Sequence, residues 1–169
     1  MKIGVTQTRP IKGDICANIK KHIELAELAC SLNANVLFFP ELSLTCYEPC
    51  LAKELAIFLD DVRLDVFQKI SNNNNITIGL GAPTKSDTGI HISMIIFQPH
   101  QRRKIYSKQQ LHADEFPYFK AGNNQVILIV ENQKIAPAIC YESLQENHSV
   151  HSKKLGAEIY ISSVAKSQN

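Results

Sequence analysis

Four residues carry the groups that acyl transfer needs, two of them directly after apolar runs and two in the loop between strand regions. Glu41 follows VLFFP, Cys140 follows KIAPAI, and Lys108 and Glu115 lie in a stretch without periodicity over residues 108–122. Thiolate, not thiol, attacks carbon, and a free cysteine is only a few per cent ionised near neutral pH. A carboxylate beside it can take the thiol proton, and an ammonium can stabilise both the thiolate and the oxyanion that attack creates. In open α/β sheets, ligands bind beyond the carboxyl ends of strands, where side chains far apart in sequence converge. Taken singly, these signals have plainer readings as an inert core thiol, a loop carboxylate and a solvated lysine.

The elements that must position them follow from hydrophobic period. Residues 2–7 (KIGVTQ) read as a first strand. Asp14 is placed to cap a helix running to about Leu32, with Ile15, Ile19, Ile23, Ala26 and Ala29 on one face. VLFF over residues 36–39 is the pattern of a strand buried on both faces, and Pro40 stops it. Leu51, Leu55, Phe58, Leu59, Val62, Val66 and Ile70 have helical spacing, which predicts a second helix over 50–70. Strands are expected over 76–80, 90–97 and 104–106, a hairpin over 126–139, a helix over 144–155 and a last strand over 157–161. Strand and helix alternate at the start, so the fold class is α/β. There is no internal repeat and no linker, which makes residues 1–169 a single domain.

Longer strings around the four residues are more specific. Residues 38–49 read FFPELSLTCYEP, residues 108–122 read KQQLHADEFPYFKAG, and residues 135–142 read IAPAICYE. In this order and at these intervals the chain resembles the nitrilase superfamily of carbon-nitrogen hydrolases, over essentially its whole length. The resemblance implies a four-layer α-β-β-α sandwich whose C-terminal portion is missing here. It implies Glu41 as general base, Lys108 as catalytic lysine, Glu115 as a second glutamate that positions it, and Cys140 as nucleophile. Tyr47, Tyr141 and Glu142, within the same strings, become candidates to touch substrate. The substrate would be a small amide in preference to a nitrile, cleaved through a thioester without cofactor or metal, by a homodimer or higher homo-oligomer. Two departures stand out. Cys46 occupies a position where the family usually has Gly, and Leu144-Gln145 replace a stretch that often contains arginine. The rival reading is a hydrolase-like domain without activity, kept as a binding or assembly module.

Composition excludes other classes. Hydrophobic content is 44%, charged content 20% and net charge +2, which describes a globular protein with no electrostatic argument for nucleic acid or an anionic membrane. The one basic cluster, residues 100–108, reads as a solvated turn. Five cysteines without a CxxC pair suggest free thiols in a reducing cytoplasm, and no apolar run is long enough to span a bilayer. His148 and His151 read as helix-surface histidines. The glycines over residues 79–85 read as a strand-end turn, because the GK[ST] ending of a phosphate loop is absent. A Cys-His-carboxylate arrangement stays open, although no histidine is marked as the partner of Cys140.

Overall fold

A computed structural model of the chain describes residues 1–165, so the last four residues of the expected domain lie outside the described residues. Two sheets form the frame. The larger has the order β1 (Ile3–Val5), β2 (Val36–Phe38), β3 (Thr77–Ser86), β4 (Gly89–Phe97), β5 (Lys104–Ser107), and the smaller the order β6 (Leu128–Val130), β7 (Gln133–Ile139), β8 (Ile159–Ser163). The pairs β1–β2, β2–β3 and β7–β8 are parallel, and the rest are antiparallel.

The inner strands β2, β3 and β4 of the five-stranded sheet are largely buried on both faces, whereas Ile3 and Val5 of the edge strand β1 are exposed. One face meets α1 (Ile15–Ser31) and α3 (Asp65–Asn74), where Ile19, Ala26 and Phe67 pack against Leu37, Ile78, Leu80 and Phe97. The other meets the three-stranded sheet, with Val36, Phe38, Ile92, Met94 and Tyr106 packed against Leu128, Ile135, Ile139 and Ile161. On the opposite face of β7, Ala136 and Ala138 are also fully buried. The crossover between β7 and β8 contains α4 (Glu146–Lys154), which the handed geometry of parallel β-α-β units lays against that face. The layers therefore run helix, sheet, sheet, helix, as expected.

Local chemistry explains the boundaries. The Asp14 side chain accepts from Ala17 N at 2.9 Å and starts α1 where the sequence placed it. The hairpin β6–β7 turns through Glu131 and Asn132, both at positive φ, the geometry that matches strand twist in a two-residue turn.

The predicted helix over 50–70 is corrected. Only α2 (Ala52–Leu55) and α3 are helical in that region, with short tight turns at Pro49–Leu51 and Val62–Leu64. Ala56 turns extended at ψ 132°, and Ile57 joins β3 instead, donating to Pro83 O and accepting from Lys85 N. The Asp61 side chain then accepts from Arg63 N and opens a new turn. Edge pairing and a local cap thus override the helical spacing. The glycine stretch over 79–85 is corrected too: it lies inside β3 and is not a turn.

Candidate active site

Glu41, Lys108 and Cys140 arrive just past the ends of strands, as open-sheet geometry favours, and Glu115 lies further along the loop that Lys108 opens. Glu41 lies in the loop after β2. That loop rests on β3, where Leu44 N donates to Gly81 O at 3.0 Å and Gly81 N donates to Ser43 Oγ at 3.3 Å. A glycine is required at this contact, because a methyl on Gly81 would lie 2.2 Å from Pro40 O and 2.5 Å from Leu42 N. Behind the loop, His22 stacks on Phe39 and bonds Ser43 Oγ at 2.9 Å, so α1 buttresses the Glu41 segment. Lys108 follows β5 directly, and Cys140 follows β7.

Lys108 is fully buried, and its ammonium donates to Glu41 Oε1 at 2.9 Å and to Glu115 Oε1 at 2.6 Å. Its pKa is raised: burial pulls it down, and the charges of Glu41 and Glu115 outweigh that pull. The pKa of Glu41 is raised because burial penalises its charge more than Lys108 rewards it. Its second oxygen accepts from Ala165 N at 3.2 Å. The second oxygen of Glu115 accepts from His112 N at 2.7 Å, which fixes the carboxylate against the lysine. A cation between two carboxylates, all of them buried, is a charge arrangement that persists only with close geometry.

Cys140 is half-buried and takes φ +49°, a left-handed conformation unusual for a side-chain-bearing residue. Ser143 Oγ donates to Cys140 O at 2.7 Å and closes the sharp turn after β7. Burial and then the charge of Glu41, which also hydrogen-bonds the thiol, push its pKa up to about 11, against the opposing pull of Lys108. The structure therefore brings Glu41, Lys108, Glu115 and Cys140 to one place. At rest, a neutral thiol faces a carboxylate.

The three candidate substrate contacts divide. The Tyr47 hydroxyl lies 3.2 Å from Asp114 Oδ2 and 3.3 Å from Glu115 Oε1, at the edge of the charged cluster. Its pKa is raised by burial and by those carboxylates. Tyr141 packs edge-on against His112. Glu142 is corrected: it has no exposed surface, and its carboxylate is occupied by Ile139 N, Gln109 N and the Tyr106 hydroxyl, so it points into the protein and not toward a ligand.

His148 is corrected as well. It is buried, with Nε2 at 2.7 Å from the Tyr106 hydroxyl and Nδ1 at 2.7 Å from the Tyr160 hydroxyl, whereas His151 is exposed. Sequence could not show this, because both tyrosines come from other elements. In the basic cluster, Lys108 belongs to the site, and Arg103 pairs with Asp65 and with the carbonyls of Leu59 and Asp61. Among the described residues, no group of three or more His, Cys, Asp or Glu is arranged to hold a metal ion. A cleft of about 640 Å³ beside the β3–β4 hairpin is lined by Thr84, His91, Ser107 and Lys120, and none of the four site residues lines it. Side-chain geometry, not concavity, marks the site.

Comparison with known proteins gives the family and the fold. Residues 2–169 match the carbon-nitrogen hydrolase family. A glutamine-dependent NAD(+) synthetase of Thermotoga maritima is 26% identical over 170 residues, covering 95% of this chain and 29% of that protein. An arylacetonitrilase of Hypocrea virens is 20% identical, with 89% of this chain and 54% of its own length covered. The chain thus spans well under two thirds of these relatives. Among solved structures, a variant of the amidase from Nesterenkonia sp. AN1, with acrylamide added at its active-site cysteine, superposes with TM-score 0.88 at 18% identity. That match covers 100% of this chain and 68% of the amidase. No helix among the described residues is long and apolar enough to cross a membrane.

Proposed function

The chain belongs to the carbon-nitrogen hydrolase family, and on that premise we propose that it hydrolyses a small carboxamide through a thioester on Cys140. The observation that carries this reading is the buried ammonium of Lys108 held between Glu41 and Glu115 beside the Cys140 thiol.

A thiol held up to about pKa 11 is protonated at neutral pH, so attack needs a base at the moment it occurs. Glu41 takes the proton as sulfur bonds to the amide carbon. The carbonyl oxygen becomes an oxyanion, and Lys108 together with the backbone N–H of Tyr141 stabilises it. One such donor contributes roughly 3–4 kcal/mol. As the tetrahedral adduct collapses, the C–N bond breaks and Glu41 returns its proton to the leaving nitrogen. Ammonia departs and a thioester remains. Glu41 then takes a proton from water as the hydroxide oxygen bonds to the acyl carbon. The C–S bond breaks, the acid is released, and Glu41 reprotonates the thiolate. The left-handed turn at Cys140 presents sulfur at the tip of β7, which suits attack from one side.

An amide is favoured over a nitrile by the likeness to an amidase structure. The glutamine-dependent relative adds the side-chain amide of glutamine to the substrates to try. The test is ammonia release from a panel of short amides, glutamine and an arylacetonitrile, with Cys140→Ala as control. Iodoacetamide labelling, read by peptide mass, runs in parallel. Turnover lost in Cys140→Ala, and Cys140 labelled ahead of Cys16, Cys30, Cys46 and Cys50, are expected. No turnover of any amide together with even labelling would favour the rival, a binding or assembly module without activity.

A further inference from the structure

The Cys140 thiol and its charged partners come from different sheets. Glu41, Lys108 and Glu115 follow strands of the five-stranded sheet, and Cys140 follows β7 of the other. Their relative position therefore depends on whatever joins the two sheets at this end. Glu142 makes that join. Its Oε1 accepts from the backbone N–H of Gln109, the residue after Lys108, at 2.5 Å. Its Oε2 accepts from the backbone N–H of Ile139, the residue before Cys140, at 2.7 Å. One buried carboxylate thus holds the amide beside the lysine and the amide beside the thiol, in addition to a bond from the Tyr106 hydroxyl at 2.7 Å.

We propose that Glu142 is a positioning residue that clamps the Lys108 segment to the Cys140 turn, backed by a hydrogen-bond chain through Tyr106, His148 and Tyr160. The proton inventory of that chain closes. A neutral His148 carrying its proton on Nε2 donates to the Tyr106 oxygen, which leaves the Tyr106 proton for Glu142 Oε2. The bare Nδ1 then accepts from the Tyr160 hydroxyl at 2.7 Å. Every group donates in the same direction, toward the carboxylate, and bonds aligned in a chain strengthen one another. Gln109 Nε2 adds a donor to the Tyr106 oxygen at 3.2 Å from the lysine side of the clamp. A carboxylate is required because it accepts on both oxygens. A glutamine would turn an NH2 toward one of the backbone N–H groups and open that side.

This inference rests on the proposed reaction at Cys140, and the experiment separates the two. The Cys140 alkylation rate with iodoacetamide is measured from pH 7 to 10 in the full chain, Glu142→Gln, Tyr106→Phe, Lys108→Met and Glu142→Gln combined with Lys108→Met. With the clamp open, Lys108 withdraws from sulfur and the thiol pKa rises. Glu142→Gln should then label about tenfold more slowly at a given pH, as expected for a misplacement on the scale of an ångström. Tyr106→Phe, which retains both backbone bonds, should shift the profile the same way by less. In the Lys108→Met background, Glu142→Gln should have almost no further effect, because the residue acts through the lysine. A role confined to stability would lower the unfolding temperature and leave the labelling profile of folded protein in place. An unchanged profile in folded Glu142→Gln, or full additivity with Lys108→Met, overturns the clamp. Should Glu142→Gln fail to fold, Tyr106→Phe decides, and an unmoved profile there overturns it equally. Wild-type protein without preference for Cys140 would instead reject the underlying reaction.

Discussion

Replacing Gly81 by alanine should separate the position of Glu41 from its chemistry. The added methyl would lie 2.2 Å from Pro40 O, 2.5 Å from Leu42 N and 2.9 Å from the Glu41 carbonyl carbon, all backbone atoms. Real contacts of this kind do not fall under 3.0 Å, so the segment carrying Glu41 must recede from β3 by roughly 0.8 Å. Glu41 cannot recede and keep its 2.9 Å bond to Lys108 unless that fully buried lysine follows. Overpacking of this sort destabilises by about 1–3 kcal/mol. For a domain of this size, that lowers the unfolding temperature by roughly 2–4 °C per kcal/mol. The effect on chemistry should be larger, about a hundredfold in turnover for displacement near 1 Å. The assay is amide turnover and Cys140 alkylation, each measured well below the unfolding midpoint of each variant. Gly4→Ala is the control. A methyl there meets the Leu37 side chain at 3.0 Å, which can rotate away, so its turnover should stay within about twofold. Turnover of Gly81→Ala within threefold of the parent, in a protein that unfolds at the parent temperature, would refute the claim that this contact sets Glu41.

Glu115→Gln weakens the 2.6 Å bond to Lys108 and should lower turnover about a hundredfold with the fold retained, checked by steady-state kinetics and circular dichroism. Glu41→Gln removes a carboxylate whose charge and hydrogen bond raise the Cys140 pKa, so the alkylation midpoint should move below about 11 while turnover falls by roughly 10²–10⁴. Cys46 takes φ +68°, and Cys46→Gly should relieve strain and raise the unfolding temperature by about 2–4 °C, after the extra freedom glycine gains in the unfolded chain is subtracted. Burial holds His22 down to about pKa 4, below its ordinary 6.5, so its neutral form supports the fold fully above pH 6.5 and that support is lost as pH falls through 4. The loss is about 3 kcal/mol, and urea unfolding at pH 7 and pH 4 should show it shrinking in His22→Gln.

The parts legible in sequence are those whose signals are local. The Asp14 cap, the apolar runs of β2 and β7, and the motif strings around Glu41, Lys108 and Cys140 all lie within a few neighbours of the residue concerned. Cys46 illustrates the same point, since its place in the motif pointed to a turn that favours glycine, and the backbone there is left-handed. What sequence could not carry depends on partners far along the chain. Ile57 leaves a helical pattern because β3 offers it two backbone bonds across nearly thirty residues. His148 is buried by Tyr106 and Tyr160, and Glu142 turns inward because three donors wait there. A glutamate inside a functional motif reads as functional by position, and only the direction of its side chain shows whether it meets a ligand or the protein.

The division of the site between two sheets has a consequence for stability and activity together. Glu41, Lys108 and Glu115 form a closed charge cluster using one sheet alone, and the thiol joins it only when β7 packs across. The layer that brings them together is apolar, with Ile92, Met94 and Ile96 facing Leu128, Ile135, Ile139 and Ile161. Such a layer fixes separation through close packing but resists sliding weakly, because apolar contacts have little directional preference. Registry at the reacting end must come from directional bonds. Glu142 receives two of them across the gap, from Gln109 N just after β5 and from the Tyr106 hydroxyl in β5, and Ser163 Oγ, at the end of β8, donates to Phe39 O at 2.9 Å. Ala165 N, just beyond it, donates to Glu41 Oε2. The apolar layer thus sets how far apart the sheets lie, and this small set of polar bonds sets where sulfur stands over the carboxylate.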